Sequence, residues 1–343
     1  MQVFMPSRIL DRHVGGNTTY ARALRAGLLD RGVDVQSIPA GSGPARTMAA
    51  ETLFAKKRQA SSVLHYVADT GPLFSARTPS VVTVHGVASR WITTARSRSH
   101  ELTWRSRVRR AIRSTDCVVT VSQSSADDIA AVFGVDRGSI TVIPHGISPA
   151  YFAAAPMTDE QEQVLGNVHG PIVLYVGNLE PRKNIEQLVK AFDKAPLRDL
   201  GARLVVVGRP AWNFSSIVDT ISASAHTDYL GFVDDVTKMA LMQRCDVFAF
   251  PSLYEGFGFP VLEALATGSV VMSSSEGSLR DVAGPALRFR GLDADAIAAD
   301  LNRALTDTAA RAECQANGRA WASQFTWDRS VDSHVDLYRK LSA

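Results

Sequence analysis

The stretch from Asp246 to Gly268, DVFAFPSLYEGFGFPVLEALATG, leaves few folds open to the chain. Val247 to Phe250 is a short apolar run that breaks at Pro251 and Ser252, and a loop with Gly256 and Gly258 follows. Pro260 re-enters regular structure at a first helical position, where its missing N–H costs no hydrogen bond. Thr267-Gly268 reads as a helix end with glycine just outside it, and SVVM, Ser269 to Met272, supplies the next strand. Strand, loop, helix and strand in that order make a parallel crossover. Open parallel sheets bind ligands at the carboxyl edge of their strands. Glu255 in the loop and Glu263 about one turn into the helix fall at such an edge, placed to face one cleft. Paired carboxylates accept hydrogen bonds from neighbouring hydroxyls, while glycine and helix-start amides suit an anion. A nucleotide sugar carries both features. Two solvated glutamates beside a tight turn are the plainer alternative.

The rest of the chain repeats the alternation of short apolar strands and helices. Gln2 to Met5 is a first strand, and the turn after it holds Gly15 and Gly16, which let a ligand approach the backbone or simply form a loop. The spacing is not G-x-G-x-x-G, so no dinucleotide fingerprint is present. Asn17 is the expected cap of a helix with Tyr20, Leu24 and Leu28 on one face. Residues 40–62 read as a loop with at most a short helix. Val81 to Val84 runs into His85, an imidazole at a strand end that suits either a sugar hydroxyl or a structural contact.

Between Arg90 and Arg113 arginine is dense, with Trp91 and Trp104. On a helix, Trp104, Val108 and Ile112 form one stripe, flanked by Arg105, Arg107, Arg109, Arg110 and Arg113. That pattern fits either an anionic membrane surface or a stripe packed on a sheet with a solvated basic face. No nucleic-acid motif accompanies it. Further on, IVLYVG (Ile172 to Gly177) opens a second domain. Asn184 and Gln187 look like a capping box, with Arg182 and Lys183 just ahead of the helix start. Two cations there make an anion site, or a solvated pair on a surface loop. Asp293-Ala294-Asp295 has the look of a metal-binding pair but stands at a helix start, so Asp293 reads as a cap and no metal site is expected.

A length of 343 residues fits two domains of ordinary size. Cys117, Cys245 and Cys314 are odd in number and far apart, which argues against a disulfide framework and fits a reducing compartment. No signal-peptide core stands at the N-terminus and no apolar run approaches the roughly 18 residues of a membrane span. The expected location is cytoplasmic, with a peripheral place at the inner membrane face if the arginine segment meets lipid. The net charge of +3 hides an asymmetry. Residues 1–150 hold 19 Lys and Arg against 10 Asp and Glu, and the remainder 18 against 24. The halves therefore carry +9 and −6, as if facing different partners.

With these segments in order, the chain resembles glycosyltransferase family 4. The E-x7-E element of Glu255 and Glu263, together with VGNLEPRKN, GFVDDV, VTVSQSSADDI, VIPHGI and GGNTTYARAL, stands at that family's intervals. The resemblance implies an α/β chain of the GT-B fold, two Rossmann-like domains facing across a cleft. The expected domains are residues 1–155 on the acceptor side and 156–325 for the nucleotide sugar, with 326–343 as a helix crossing back to the first. It implies a retaining, metal-independent hexosyltransferase that takes GDP-mannose or UDP-glucose as donor, with no cofactor. The acceptor would be a saccharide, a glycolipid or a small molecule, and nucleic acid is not an expected partner. By resemblance, Glu263 would hold the donor ribose and Glu255 the transferred sugar's hydroxyls. Gly256, Phe257, Gly258 and Phe259 would offer amides to sugar and phosphate. Lys183 and Arg182 would neutralise the diphosphate, Gly15 and Gly16 would lie over the phosphates, and His85 would touch the sugar near the reacting carbon. Asn178 stands where many relatives carry arginine, and His145 where they carry asparagine. A nucleotide-sugar epimerase on the same architecture, or a binding protein without turnover, are the alternatives.

Overall fold

Among the described residues, twelve short strands pair into two six-stranded sheets, in which every paired neighbour runs parallel. The computed structural model describes residues 1–11, 15–88, 98–153 and 170–342. Its contacts divide the chain into two units, Met1–Gly146 with Phe325–Ala343, and Ile147–Gln324.

The first unit runs β1 (Gln2–Pro6), α1 (Ser7–Leu10), α2 (Gly16–Asp30), β2 (Asp34–Ile38), α3 (Pro44–Ala55) and β3 (Ser62–Tyr66). It continues with β4 (Ser80–Thr83), α4 (Arg98–Ser114), β5 (Cys117–Thr120), α5 (Gln123–Phe133) and β6 (Ile140–Val142). The sheet order is β2-β1-β3-β4-β5-β6. Side chains alternate across a strand, so each strand serves two apolar layers. Val3, Met5, Val63, Val81 and Val119 pack with Tyr20, Leu24 and Leu28 of α2. Phe4, Leu64, Val82 and Val118 face the other way, onto Ala55 of α3, Val108 and Ile112 of α4, and Ile129 and Phe133 of α5.

The second unit begins with β7 (Ile172–Val176), α6 (Ile185–Ala191), α7 (Ala195–Asp199), β8 (Arg203–Val207), α8 (Ser215–Ala223), β9 (Thr227–Gly231) and α9 (Asp235–Arg244). Then come β10 (Val247–Phe250), α10 (Phe259–Thr267), β11 (Val271–Ser273), α11 (Leu279–Val282), β12 (Leu287–Arg288), α12 (Ala294–Thr306) and α13 (Thr308–Ala322). Strands β7 and β10 are buried along their whole length, as expected of strands covered on both faces. The last helix, α14 (Trp327–Ser342), belongs to the first unit and adds Val331, Val335 and Tyr338 to its core.

Several local expectations are corrected. Within residues 40–62 the helix is longer than the short one allowed for, three turns over Pro44–Ala55 with Pro44 in its first turn. Gly15, not Asn17, precedes the first turn of α2, and no side chain caps it. Asn184 takes a left-handed conformation (φ 59°) and does not cap α6. Its amide donates instead to the Leu292 carbonyl at 2.8 Å, while Gln187 Oε1 accepts from the Ala294 N–H at 3.1 Å. The expected capping pair therefore ties α6 to the start of α12. Strand β11 begins at Val271 rather than Ser269, whose hydroxyl donates to the Met242 carbonyl. The cap assigned to Asp293 is present, its Oδ1 accepting from Ala296 N–H at 3.0 Å. Trp91 and the domain boundary expected between residues 155 and 156 lie outside the described residues.

Candidate active site

Three segments of the second unit build one buried ionic cluster at the carboxyl ends of β7 and β10. Behind β7, the Gly177 and Gly208 backbones touch: a Cβ on Gly208 would lie 1.8 Å from the Gly177 carbonyl oxygen. That approach sets the start of the loop through Asn178, whose side chain is exposed and whose carbonyl accepts from Tyr175 Oη at 3.3 Å. A single 3-10 turn, Pro181–Lys183, then aims Arg182 and Lys183 at the β10 loop. There Glu255 is 7% exposed. Its Oε1 accepts from Lys183 Nζ at 2.6 Å and from Ser252 Oγ at 2.6 Å, and its Oε2 lies 2.9 Å from Arg182 Nη1. Arg182 also donates to the Tyr254 carbonyl and to Glu180, whose other oxygen accepts from the Trp212 indole.

The electrostatics follow from this geometry. Burial pushes the Glu255 carboxyl up, but Arg182 and Lys183 overcome it and hold it down at about 2. Burial works against the Arg182 charge, and Glu255 and Glu180 more than offset that, raising it above its ordinary value. Two carboxylates face two cations, so the cluster is close to neutral and every member is paired.

Helix α10 starts immediately beyond. Gly258 precedes it with φ 100°, and a Cβ there would meet Leu279 Cδ2 at 2.7 Å, so only glycine fits. Phe257 and Phe259 pack edge to face, centroids 5.1 Å apart, on either side of it. Glu263 lies one turn into α10 and has a cation of its own, Lys238 Nζ at 3.2 Å, which also pairs with Asp235 at 3.0 Å. Tyr151 completes this second group. Burial pushes the Glu263 carboxyl up, and Lys238 offsets this only in part.

In the first unit, Gly15 and Gly16 are exposed at the start of α2. His85 is half-buried just past β4. Its Nε2 donates to the Val67 carbonyl at 3.0 Å, which leaves Nδ1 as the acceptor nitrogen, and its backbone N–H donates to Asp69. Burial lowers its basicity, against the pull of Asp69. The Tyr20 ring packs on both His85 and His145, centroids 5.2 Å and 4.6 Å away.

The structure thus joins Arg182, Lys183 and Glu255 in one cluster and gives Glu263 a separate ion pair. Glu180, Ser252, Trp212, Lys238 and Tyr151 were not foreseen. A chargeable or hydrogen-bonding side chain at a loop-edge position was the one available signal, and it was too common to single them out. Among the described residues no group of three or more His, Cys, Asp or Glu side chains is placed to hold a metal ion.

Two parallel sheets with this loop architecture define the GT-B class of α/β enzyme folds. Sucrose-phosphate synthase from Thermosynechococcus elongatus superposes with a TM-score of 0.79 at 21% identity, covering 99% of this chain and 98% of that one. The sequence pattern of the Glycosyl transferases group 1 family matches residues 157–321, and that of Glycosyltransferase Family 4 matches residues 54–151. The chain belongs to glycosyltransferase family 4. It is 31% identical over 239 residues to the O-antigen chain mannosyltransferase B of Escherichia coli, an alignment covering 67% of this chain and 62% of that protein. It is 27% identical over 237 residues to the serotype-specific mannosyltransferase WbdA of the same species, covering 66% of this chain and 29% of that protein. The chain therefore spans less than two thirds of either relative.

Proposed function

We propose that this protein transfers a hexosyl group, mannose being the first to test, from a nucleoside diphosphate sugar to a hydroxyl of a saccharide, glycolipid or small-molecule acceptor. The observation that carries the proposal is the buried Glu255 carboxylate held ionised between Lys183 and Arg182. Family membership and two relatives named as mannosyltransferases support the choice of sugar.

In this proposal the donor diphosphate takes over the cations that Glu255 now holds, and Glu255 turns its lone pairs to the sugar hydroxyls. Glu263 exchanges Lys238 for the ribose hydroxyls. The acceptor oxygen forms its bond to the anomeric carbon as the bond from that carbon to the diphosphate oxygen breaks. The acceptor's proton passes to the leaving phosphate, on the same face, so configuration is retained and Glu255 is not a covalent nucleophile. Negative charge grows on the diphosphate during this step. Fixed cations and the amides from Gly256 to Phe259 therefore stabilise the transition state more than the ground state. His85 Nδ1 is the acceptor nitrogen offered to a sugar hydroxyl. No metal or other cofactor takes part in the proposal, and the exposed arginines of α4 extend it to a peripheral contact with anionic lipid.

Thermal unfolding against a panel of GDP- and UDP-sugars tests it. A cognate donor at a hundred times its Kd stabilises by about 2.7 kcal/mol, a shift of several degrees. A flat response to every activated sugar would end the proposal.

A further inference from the structure

The contact of α14 with the first unit has a polar layer as well as an apolar one. Tyr338 Oη lies 2.5 Å from His65 Nδ1, and His65 Nε2 lies 2.8 Å from Thr83 Oγ1. Thr83 Oγ1 lies 3.1 Å from Tyr20 Oη, and Tyr20 Oη lies 2.8 Å from His334 Nε2. His334 Nδ1 then reaches the Ser330 carbonyl at 2.7 Å. All five side chains are buried. The path leaves α14 at Tyr338, crosses β3, β4 and α2, and returns to α14 at His334.

Every proton in this path has one allowed place. A carbonyl only accepts, so His334 carries its hydrogen on Nδ1 and presents a bare Nε2. Tyr20 must donate to that nitrogen, and having one hydrogen it must accept from Thr83. Thr83 has then used its hydrogen and accepts from His65 Nε2–H. His65 Nδ1 is left bare and accepts from Tyr338. The circuit is satisfied throughout, in one direction, with both imidazoles neutral.

We propose that this circuit makes docking of α14 depend on protonation: the helix is held while His65 and His334 are neutral and is released in acid. A proton on His334 sets an N–H against the Tyr20 hydroxyl hydrogen, and one on His65 Nδ1 does the same to Tyr338. Each reversal leaves a hydroxyl hydrogen without an acceptor in a buried site, which is costly.

No described carboxylate contacts either ring. His65 faces Thr83 from β4, Tyr20 from α2, and His334 and Tyr338 from α14, the two imidazoles stacked with centroids 5.5 Å apart. His334 faces Tyr20, His65 and Tyr338. His85 and His145 pack on Tyr20 from the loops after β4 and β6, and the Asp69 carboxylate binds the His85 backbone N–H.

Burial lowers His334 to about 4 and holds His65 well below its ordinary value, with His334 and His85 adding to the effect. Docked values thus lie below the value of about 6.5 expected once the rings reach water. Docking is unaffected above pH 7 and weakens as pH falls through 6.5, by up to about tenfold per unit for each ring.

Hydrogen exchange of the full chain, corrected for intrinsic rates, tests this at pH 7.5 and 5.5. Amides of residues 331–341 should lose about a hundredfold in protection at pH 5.5, while those of β5 keep theirs. His334→Gln retains an acceptor for Tyr20 but takes up no proton, so it should dock at pH 7.5 and lose about ten times less protection on acidification. Nitrogen NMR of the wild type should find the hydrogen on Nδ1 of His334 and on Nε2 of His65, which decides the matter even if the variant does not fold. Unchanged protection of α14 at pH 5.5, loss spread evenly through the first unit, or the opposite tautomers would each overturn the proposal.

Discussion

Lys183 is buried and Arg182 partly so, and an unpaired cation in such a place is expensive; Glu255 and Glu180 answer them. Under the proposed function, Lys183→Ala removes a charge-assisted contact of about 2 kcal/mol, so kcat/KM for the donor should fall about thirtyfold. Unaltered kinetics would deny Lys183 its role. The same cluster fixes a pH dependence of stability. Glu255 titrates at about 2 in the fold against an ordinary 4.5, so its pairing stabilises fully above pH 5 and weakens as pH falls below 4.5. Urea titrations should show the gap between wild type and Glu255→Gln narrowing by about 1 kcal/mol between pH 7 and 4. A constant gap would mean the carboxyl is not held down. Glu255 and Glu263 were legible because they stand in one strand–loop–helix unit. Their partners were not. Lys183 lies 72 residues from Glu255 and Trp212 lies 32 from Glu180, distances that only the parallel sheet closes.

At the scale of elements, the helices with a plain apolar stripe were readable and those with small or polar residues were not. Helix α3 buries Thr47, Glu51, Thr52 and Ala55, a face whose polarity hides its period. Glu51 is tolerated there because Arg8 Nε reaches it at 2.6 Å. Helix α4 had two readings, and its stripe settles against the core: Val108, Ala111 and Ile112 are buried, and Trp104 packs beside Phe133. Arg109, Arg110 and Arg113 remain exposed, as does Leu102 at 70%. No described helix is long and apolar enough to cross a bilayer. If these arginines meet lipid, sedimentation with vesicles containing anionic lipid should show binding that fades between 50 and 500 mM salt, conditions spanning Debye lengths of about 14 to 4 Å. Absence of binding at low salt would leave α4 a packing element alone.

For the whole molecule, the parallel architecture was visible in the rhythm of four- and five-residue apolar strands, since only sheets covered on both faces are so uniformly hydrophobic. What the rhythm could not show is that the wall of the first unit's core formed by Val331, Val335 and Tyr338 comes from the far end of the chain. Ending the chain after Gln324 should therefore expose Leu24 and Leu28 and lower the melting of the first unit, while the second unit melts as before. Two transitions moving together would contradict this.

The consequence reaches into biosynthesis. A ribosome delivers Met1–Gly146 first, and that portion keeps its apolar seam uncovered until α14 has emerged. The later-made portion, Ile147–Gln324, has all its residues in hand earlier and is free to finish ahead of it. The two cores are thus completed in the reverse of the order in which they are begun, and the uncovered seam on the first-made half is what a chaperone would shield.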